Sequence, residues 1–347
     1  MRFNVDNDML EALDDYHVKS KAMQSYYLDM DSNCLCEVDL EFSVDDDLVF
    51  NVPIYDMLDR KYAAFSSLTE AIMRPDQDPK QNGRFFEHYK RDMVDNMMLF
   101  YLFRLCGSGI NYVPRENNGS EPIGTHGFGN FWVAKVLRTC QIETGPTEWL
   151  MALENWSGPF TDSKGYLLPQ FSYPNQKGGH MKRFILENSW DLVFFLHDFV
   201  VSNKQLEIFE IVDVGNEWLM SRGYKRQNFV LTAFAMDIAE YYPEYVDPQS
   251  RTYCGSNAKK CIRKIFSKKG KVSDFDFEND VLRFLADRYG STPYSVEDSR
   301  ACDVWRYFKE YQSPDHIKKN GGVEMLNNSI LKTKWGEESY YNWIKNL

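Results

Sequence analysis

Apolar positions recur at helical spacing over most of the chain. Met9, Leu10, Leu13, Tyr16, Val18 and Met23 mark a first helix over 7–30. The period then changes. Leu35, Val38, Leu40 and Phe42 alternate across 34–44, and 48–55 is a second short apolar run. Asp45, Asp46 and Asp47 separate the two runs, so the pattern predicts a β-hairpin near the start. No other pair of segments reads as paired strands. Beyond Tyr62 the spacing is helical again, with helices expected over 65–73, 83–105, 132–140, 147–154, 189–201, 204–221, 227–242 and 258–266. Further helical stretches follow around 276–289, 304–311 and 323–330. Gly and Pro mark nearly every junction. The expected fold class is mainly α with a small N-terminal β element.

Charge divides the chain. Of 51 acidic and 40 basic residues, 15 acids and 4 bases lie in 1–60, which accounts for the whole formal charge of −11. The remainder is neutral, so an acidic average does not argue against a polyanionic partner. Hydrophobic residues make up 43% of the chain and aromatics 15%, enough for a large packed core. The longest apolar run, 192–201, is broken by His197 and Asp198 and is too short to span a bilayer. The first residues carry no apolar signal core. Seven cysteines without C-x-x-C spacing favour reduced thiols and a cytoplasmic setting, and no His/Cys/Asp/Glu cluster has metal-site spacing.

Four segments carry candidate chemistry. Around Gly127-Phe128-Gly129-Asn130 a glycine hairpin opens into an amphipathic helix containing Lys135. Two glycines suit an ordinary interhelical turn, and they equally suit a backbone that grips a phosphate with free N–H groups. In 84–105, Arg84, His88, Arg91 and Asp95 share one face, which either meets solvent or lines a site. That helix ends in Cys106-Gly107-Ser108-Gly109-Ile110-Asn111, a cheap C-cap or an anion nest. Lys177, His180, Lys182 and Arg183 surround Gly178-Gly179, as expected of a solvated loop or one closing over a pyrophosphate. Finally, no acid lies between Asp247 and Asp274, while Arg251, Lys259, Lys260, Arg263, Lys264, Lys268, Lys269 and Lys271 all do. Such a run suits a nucleic-acid backbone. Asp247-Pro248 should break the preceding helix, Ser256 or Asn257 should cap the next, and Asp247 is a possible general base.

Residues 100–112, His126-Gly127-Phe128-Gly129-Asn130, and Asp247-Pro248-x-Ser250 with Gly255 and Asn257-Ala258 resemble the phage amino acid:DNA transferases. These are relatives of the α-glutamyl/putrescinyl thymine pyrophosphorylases, and the matching stretch covers roughly 60–270. The resemblance implies a helical DNA-glycosylase-like core with a helix–hairpin–helix over 61–271. The acidic segment 1–60 and a helical extension 272–347 would flank it. It also implies a reaction on double-stranded phage DNA containing modified thymine, in an infected bacterial cytoplasm. The amine of a free amino acid or polyamine displaces pyrophosphate from 5-pyrophosphoryloxymethyluracil, which a DNA-base kinase supplies.

That chemistry calls for base flipping, for positive charge on the leaving pyrophosphate, and for a base to hold the amine neutral. Ser108, Asn111, Lys177, His180, Lys182 and Arg183 suit the pyrophosphate. His88, His126 and Asp247 are candidate bases. Arg91 and Arg104 are candidate forks for an amino-acid carboxylate. Gly127, Gly129, Asn130, Lys135, Lys259, Lys260, Arg263 and Lys264 would contact DNA. No redox cofactor is called for, and magnesium could accompany the pyrophosphate. Two rival readings remain: a glycosylase hydrolysing an N-glycosidic bond, and a DNA-binding protein without turnover. The glycosylase reading needs a catalytic Asp or Lys soon after the hairpin; the next acid is Glu143 and the next Asp is Asp162.

Overall fold

The computed structural model describes residues 2–11, 13, 14, 17, 73, 92–106, 146–155, 179–291 and 296–311. These form a mainly helical structure with one small antiparallel sheet. They fall into two compact units, one holding 92–253 and the other combining the N-terminal residues with 254–311. Among the described residues, the N-terminal ones therefore share a unit with 254–311.

The first unit is built on α1 (Met93–Cys106). Met97 to Leu102 and Leu105 are each at most 1% exposed. A helix apolar all round belongs inside a bundle, and α1 packs against α2 (Pro146–Glu154), α3 (Gly179–Ser202) and α5 (Asn228–Tyr241). Between the last two runs α4 (Ile208–Ser221), whose Ile208, Ile211, Val212, Trp218 and Leu219 form one buried stripe. Gly215 lets α4 approach α5 closely, since a Cβ there would stand 3.0 Å from a methyl of Leu231. Polar bonds fix the register. The Tyr101 hydroxyl donates to Gln227 at 3.3 Å, and Asn96 donates to the Tyr242 hydroxyl at 2.9 Å.

The second unit contains β1 (Phe3–Val5), α6 (Ser256–Ile265), β2 (Phe266–Lys268), α7 (Asp274–Tyr289) and α8 (Val296–Tyr311). β1 and β2 are antiparallel, pairing Phe3 with Lys268 and Val5 with Phe266. Phe3 is 3% exposed and sits edge-on to Phe266, Phe277 and Phe284 at 5.3, 6.4 and 5.6 Å between ring centres. This aromatic knot holds the N-terminal strand to the unit. Ser273 caps α7 by accepting the Asp276 N–H at 3.0 Å, and Gly290, at φ 69°, ends it in the left-handed conformation.

Most expected helices in the described residues are present within a few positions. Three expectations need revision. The sheet pairs 3–5 with 266–268, two segments the alternation pattern did not single out, and the expected hairpin over 34–55 lies outside the described residues. α3 begins at Gly179, so His180, Lys182 and Arg183 belong to its opening turns and not to a flexible loop. Neither Ser256 nor Asn257 caps α6. Gly255 occupies that position, and its N–H donates to Asp298 of α8 at 2.9 Å.

Candidate functional site

α6 is the most strongly two-sided helix among the described residues. Ala258, Cys261, Ile262 and Ile265 are buried and face the rest of their unit, while Lys260, Arg263 and Lys264 are exposed. The spacing explains this, because positions 258, 261, 262 and 265 form one stripe and 260, 263, 264 the opposite one. Lys268, Lys269 and Lys271 continue the exposed positive surface just beyond the helix.

The cations do not act as one block. Glu278, 1% exposed on α7, takes Lys259 at 3.3 Å and Arg263 at 3.3 Å. Asp274 takes Arg263 at 3.2 Å and also contacts Lys268. Arg251 belongs to the other unit, where its guanidinium meets Glu207 at 2.5 and 2.8 Å. Lys260, Lys264, Lys269 and Lys271 have no acidic partner among the described residues. The acid-free sequence window is therefore partly neutralised by acids that α7 brings across it, and Lys260 and Lys264, one helical turn apart, are its clearest open charges.

The buried end of α6 has a different chemistry. The half-buried Asp298 accepts the Gly255 N–H at the start of the helix and interacts with the Cys254 thiol. Burial pushes the Asp298 carboxyl up to about 6, against the Gly255 N–H, the Cys254 hydrogen bond and Lys259, with Glu278 adding to the rise. Burial also raises Glu278, although Lys259 and Arg263 oppose it, and raises the Cys254 thiol well above the ordinary thiol range, helped by Asp298 and Glu278. A thiol held protonated in this way is a poor nucleophile. None of these acids stood out in the sequence. Glu278 falls in a stretch expected to be helical, whereas Asp298 precedes the expected stretch 304–311, because α8 begins at Val296.

The remaining candidates separate clearly. Asp247 is exposed and forms a turn, accepting the Gln249 N–H at 2.8 Å. Its carbonyl accepts from the Ser250 hydroxyl, which in turn accepts the Ile208 N–H at 2.9 Å at the start of α4. The Asp-Pro-x-Ser motif is thus seen anchoring a helix. Arg104 directs Nε and Nη2 at the carboxylate of fully buried Asp237, at 2.7 and 2.6 Å. A substrate carboxylate would have to displace that partner. Arg183 is exposed and paired with Glu187 at 2.7 Å, one turn along α3. His180 lies on the first turn of the same helix. His88, Arg91, Ser108, Asn111, His126, Gly127, Gly129, Asn130, Lys135 and Lys177 lie outside the described residues.

Among the described residues, no group of three or more His, Cys, Asp or Glu side chains is placed to hold a metal ion, and no helix is long and apolar enough to cross a membrane. Comparison with family models, with curated proteins and with solved structures finds no match to the chain.

Proposed function

We propose that this protein binds DNA and modifies it as an amino acid:DNA transferase. The observation that carries the DNA reading is the exposed face of α6, where Lys260 and Lys264 project from a helix whose other face is buried. Lysines one turn apart suit neighbouring phosphates, and their contribution is electrostatic and independent of sequence. The transferase chemistry is supported by the motif resemblance alone. In that reaction the amine nitrogen attacks the methylene carbon attached to the thymine ring. The carbon–oxygen bond to pyrophosphate breaks, pyrophosphate leaves with the electron pair, and a base takes the amine proton.

Incubation with DNA bearing 5-pyrophosphoryloxymethyluracil and a panel of amino acids and polyamines, followed by nucleoside mass spectrometry, tests the activity. An amine adduct with release of pyrophosphate is expected. Abasic sites or free base would favour the glycosylase reading, and unchanged DNA would remove both. The double variant Lys260→Ala/Lys264→Ala tests the interface separately. It should weaken duplex binding several-fold and reduce the slope of log affinity against log salt by about 1.8, the value for two phosphate contacts. Unchanged affinity and slope would place the DNA elsewhere.

A further inference from the structure

The turn joining α4 to α5 is a second cationic surface, in the unit that does not contain α6. Arg222, Lys225 and Arg226 are all exposed there, and no acid lies between Glu217 and Asp237 in the chain. None of the three has an acidic partner among the described residues, in contrast to Lys259 and Arg263 on α6.

The turn is also firmly built. The N–H groups of Arg222 and Tyr224 both donate to the Leu219 carbonyl, at 3.1 and 3.0 Å, and that of Gly223 donates to Met220 at 3.0 Å. Gly223 supplies the required positive φ of 81°. On the far side, the buried Asn216 accepts the Gln227 N–H at 2.7 Å and donates to Asn228 at 2.8 Å. Tyr224 packs edge-on against Phe184 of α3, 4.8 Å between centres. The Arg222 guanidinium lies 3.7 Å over the Trp218 ring, which restricts its side chain. Beside these charges, Met220 and Phe229 are 44% and 42% exposed. Exposed cations, one of them held over a ring, next to an exposed Phe suit a strand whose bases are not paired, because the phosphates take the charge and a base can stack. Duplex DNA would use the cations and leave the ring idle.

We propose that the α4–α5 turn binds single-stranded DNA, with Arg222, Lys225 and Arg226 on its phosphates and Phe229 against a base. This rests on the DNA reading above for the identity of the polyanion, and it adds a second contact that discriminates strand state.

The test is fluorescence anisotropy of the full chain with labelled oligothymidylate and, in parallel, with a duplex, over a range of salt. Arg222→Ala/Lys225→Ala/Arg226→Ala should weaken oligothymidylate binding at least tenfold and reduce its salt slope by about 2, the value for three single-strand phosphate contacts. Phe229→Ala should lose about 5- to 100-fold on oligothymidylate and little on duplex, with Phe229→Trp restoring binding. Thermal melting of each variant identifies any that fail to fold, and the Phe229→Trp rescue covers that case. The proposal is overturned if wild type does not bind oligothymidylate, or if the folded triple variant binds it as wild type does. It is also overturned if polyglutamate competes equally and Phe229→Ala changes nothing, which would assign the turn to an acidic protein. The two readings can fail independently. A Lys260/Lys264 effect on duplex with no turn effect removes only this one. A turn effect with no Lys260/Lys264 effect and no amine adduct removes only the earlier one.

Discussion

In the unit built on α1, the fully buried Asp237 is matched by the two-point fork of Arg104, itself 13% exposed on its side chain. In the unit built on α6, α7 and α8, two carboxylates are matched less completely. Glu297 and Arg300 form a buried pair, but Glu278 shares half-exposed Lys259 and Arg263 with its neighbours, and Asp298 rests on a backbone N–H and a thiol. The contrast separates two uses of buried charge. Asp237 is held by a two-point partner, whereas a carboxylate with too little positive charge around it is held towards its protonated form. The α1 unit should therefore respond sharply to loss of a partner, and the α6 unit to pH.

The strongest way to break the contrast is Asp237→Ala. Removing one partner of a buried pair leaves an uncompensated charge and typically costs about 3–5 kcal/mol. Chemical denaturation should show a loss of that size, and Arg104→Met/Asp237→Leu should recover most of it, because a well-packed apolar replacement removes both desolvation penalties. A loss under about 1 kcal/mol would mean that Arg104 is not committed to Asp237, and would return its fork to the substrate-binding role suggested by residue type alone.

Asp298→Asn sharpens the other half. Burial pushes the folded carboxyl up to about 6 from its ordinary value near 3.8, so the folded state holds more protons than the unfolded state between those values. Stability from this group is complete below about pH 4 and is lost as pH rises through 6. Asparagine keeps an acceptor for the Gly255 N–H without the ionisation. The variant should match wild type near pH 4 and exceed it at pH 7 by about 1–2 kcal/mol, a figure reduced for solvent screening at a half-buried group. Glu278 is raised in the same direction, so some slope should persist in the variant. A variant with the wild-type pH profile would show that Asp298 ionises without penalty.

How much of this was readable in advance follows from what each feature depends on. α2 and α4–α7 depend on local periodicity, and their expected spans came within about four residues of the observed ones. The pairing of Phe3–Val5 with Phe266–Lys268 depends on contacts across almost the entire intervening chain, and three-residue strands are too short to show alternation. α3 begins ten residues before its expected start because Gly178-Gly179 reads as a loop, although a glycine can also open a helix. The basic run at 251–271 was visible, but its partial neutralisation was not, because Glu278 and Asp274 arrive from the next helix. The turn at 222–226 carries only three charges and so falls below the threshold at which a run attracts notice. Its significance depends on Trp218, Asn216 and Tyr224 holding it still. For the same reason, the basic stretch pointed to an interface but could not say which lysines stay open.

The smallest expected effect concerns whether charge or packing holds the N-terminal residues to the α6 unit. Asp14 meets Arg288 through two bonds, at 2.5 and 2.8 Å, and also accepts from the Tyr289 hydroxyl at 2.9 Å. The Arg288 hydrogen bond, with help from Tyr289, lowers the Asp14 carboxyl below its ordinary value despite some burial. A lowered folded value contributes stability above the unfolded pKa and loses it as pH falls through the folded one, the opposite sign to Asp298. The pair is exposed, with Arg288 at 40% and Asp14 at 32% by side chain, so its net worth is about 0.2–1 kcal/mol and should shrink further in molar salt. Asp14→Asn, measured by denaturation in low and high salt, should therefore cost little at neutral pH and nothing at acid pH. A loss of several kcal/mol would shift the anchoring of the N-terminal residues from the Phe3 aromatic cluster to the ion pair, and would make that end of the chain acid-sensitive where Asp298 makes the rest of the unit acid-tolerant.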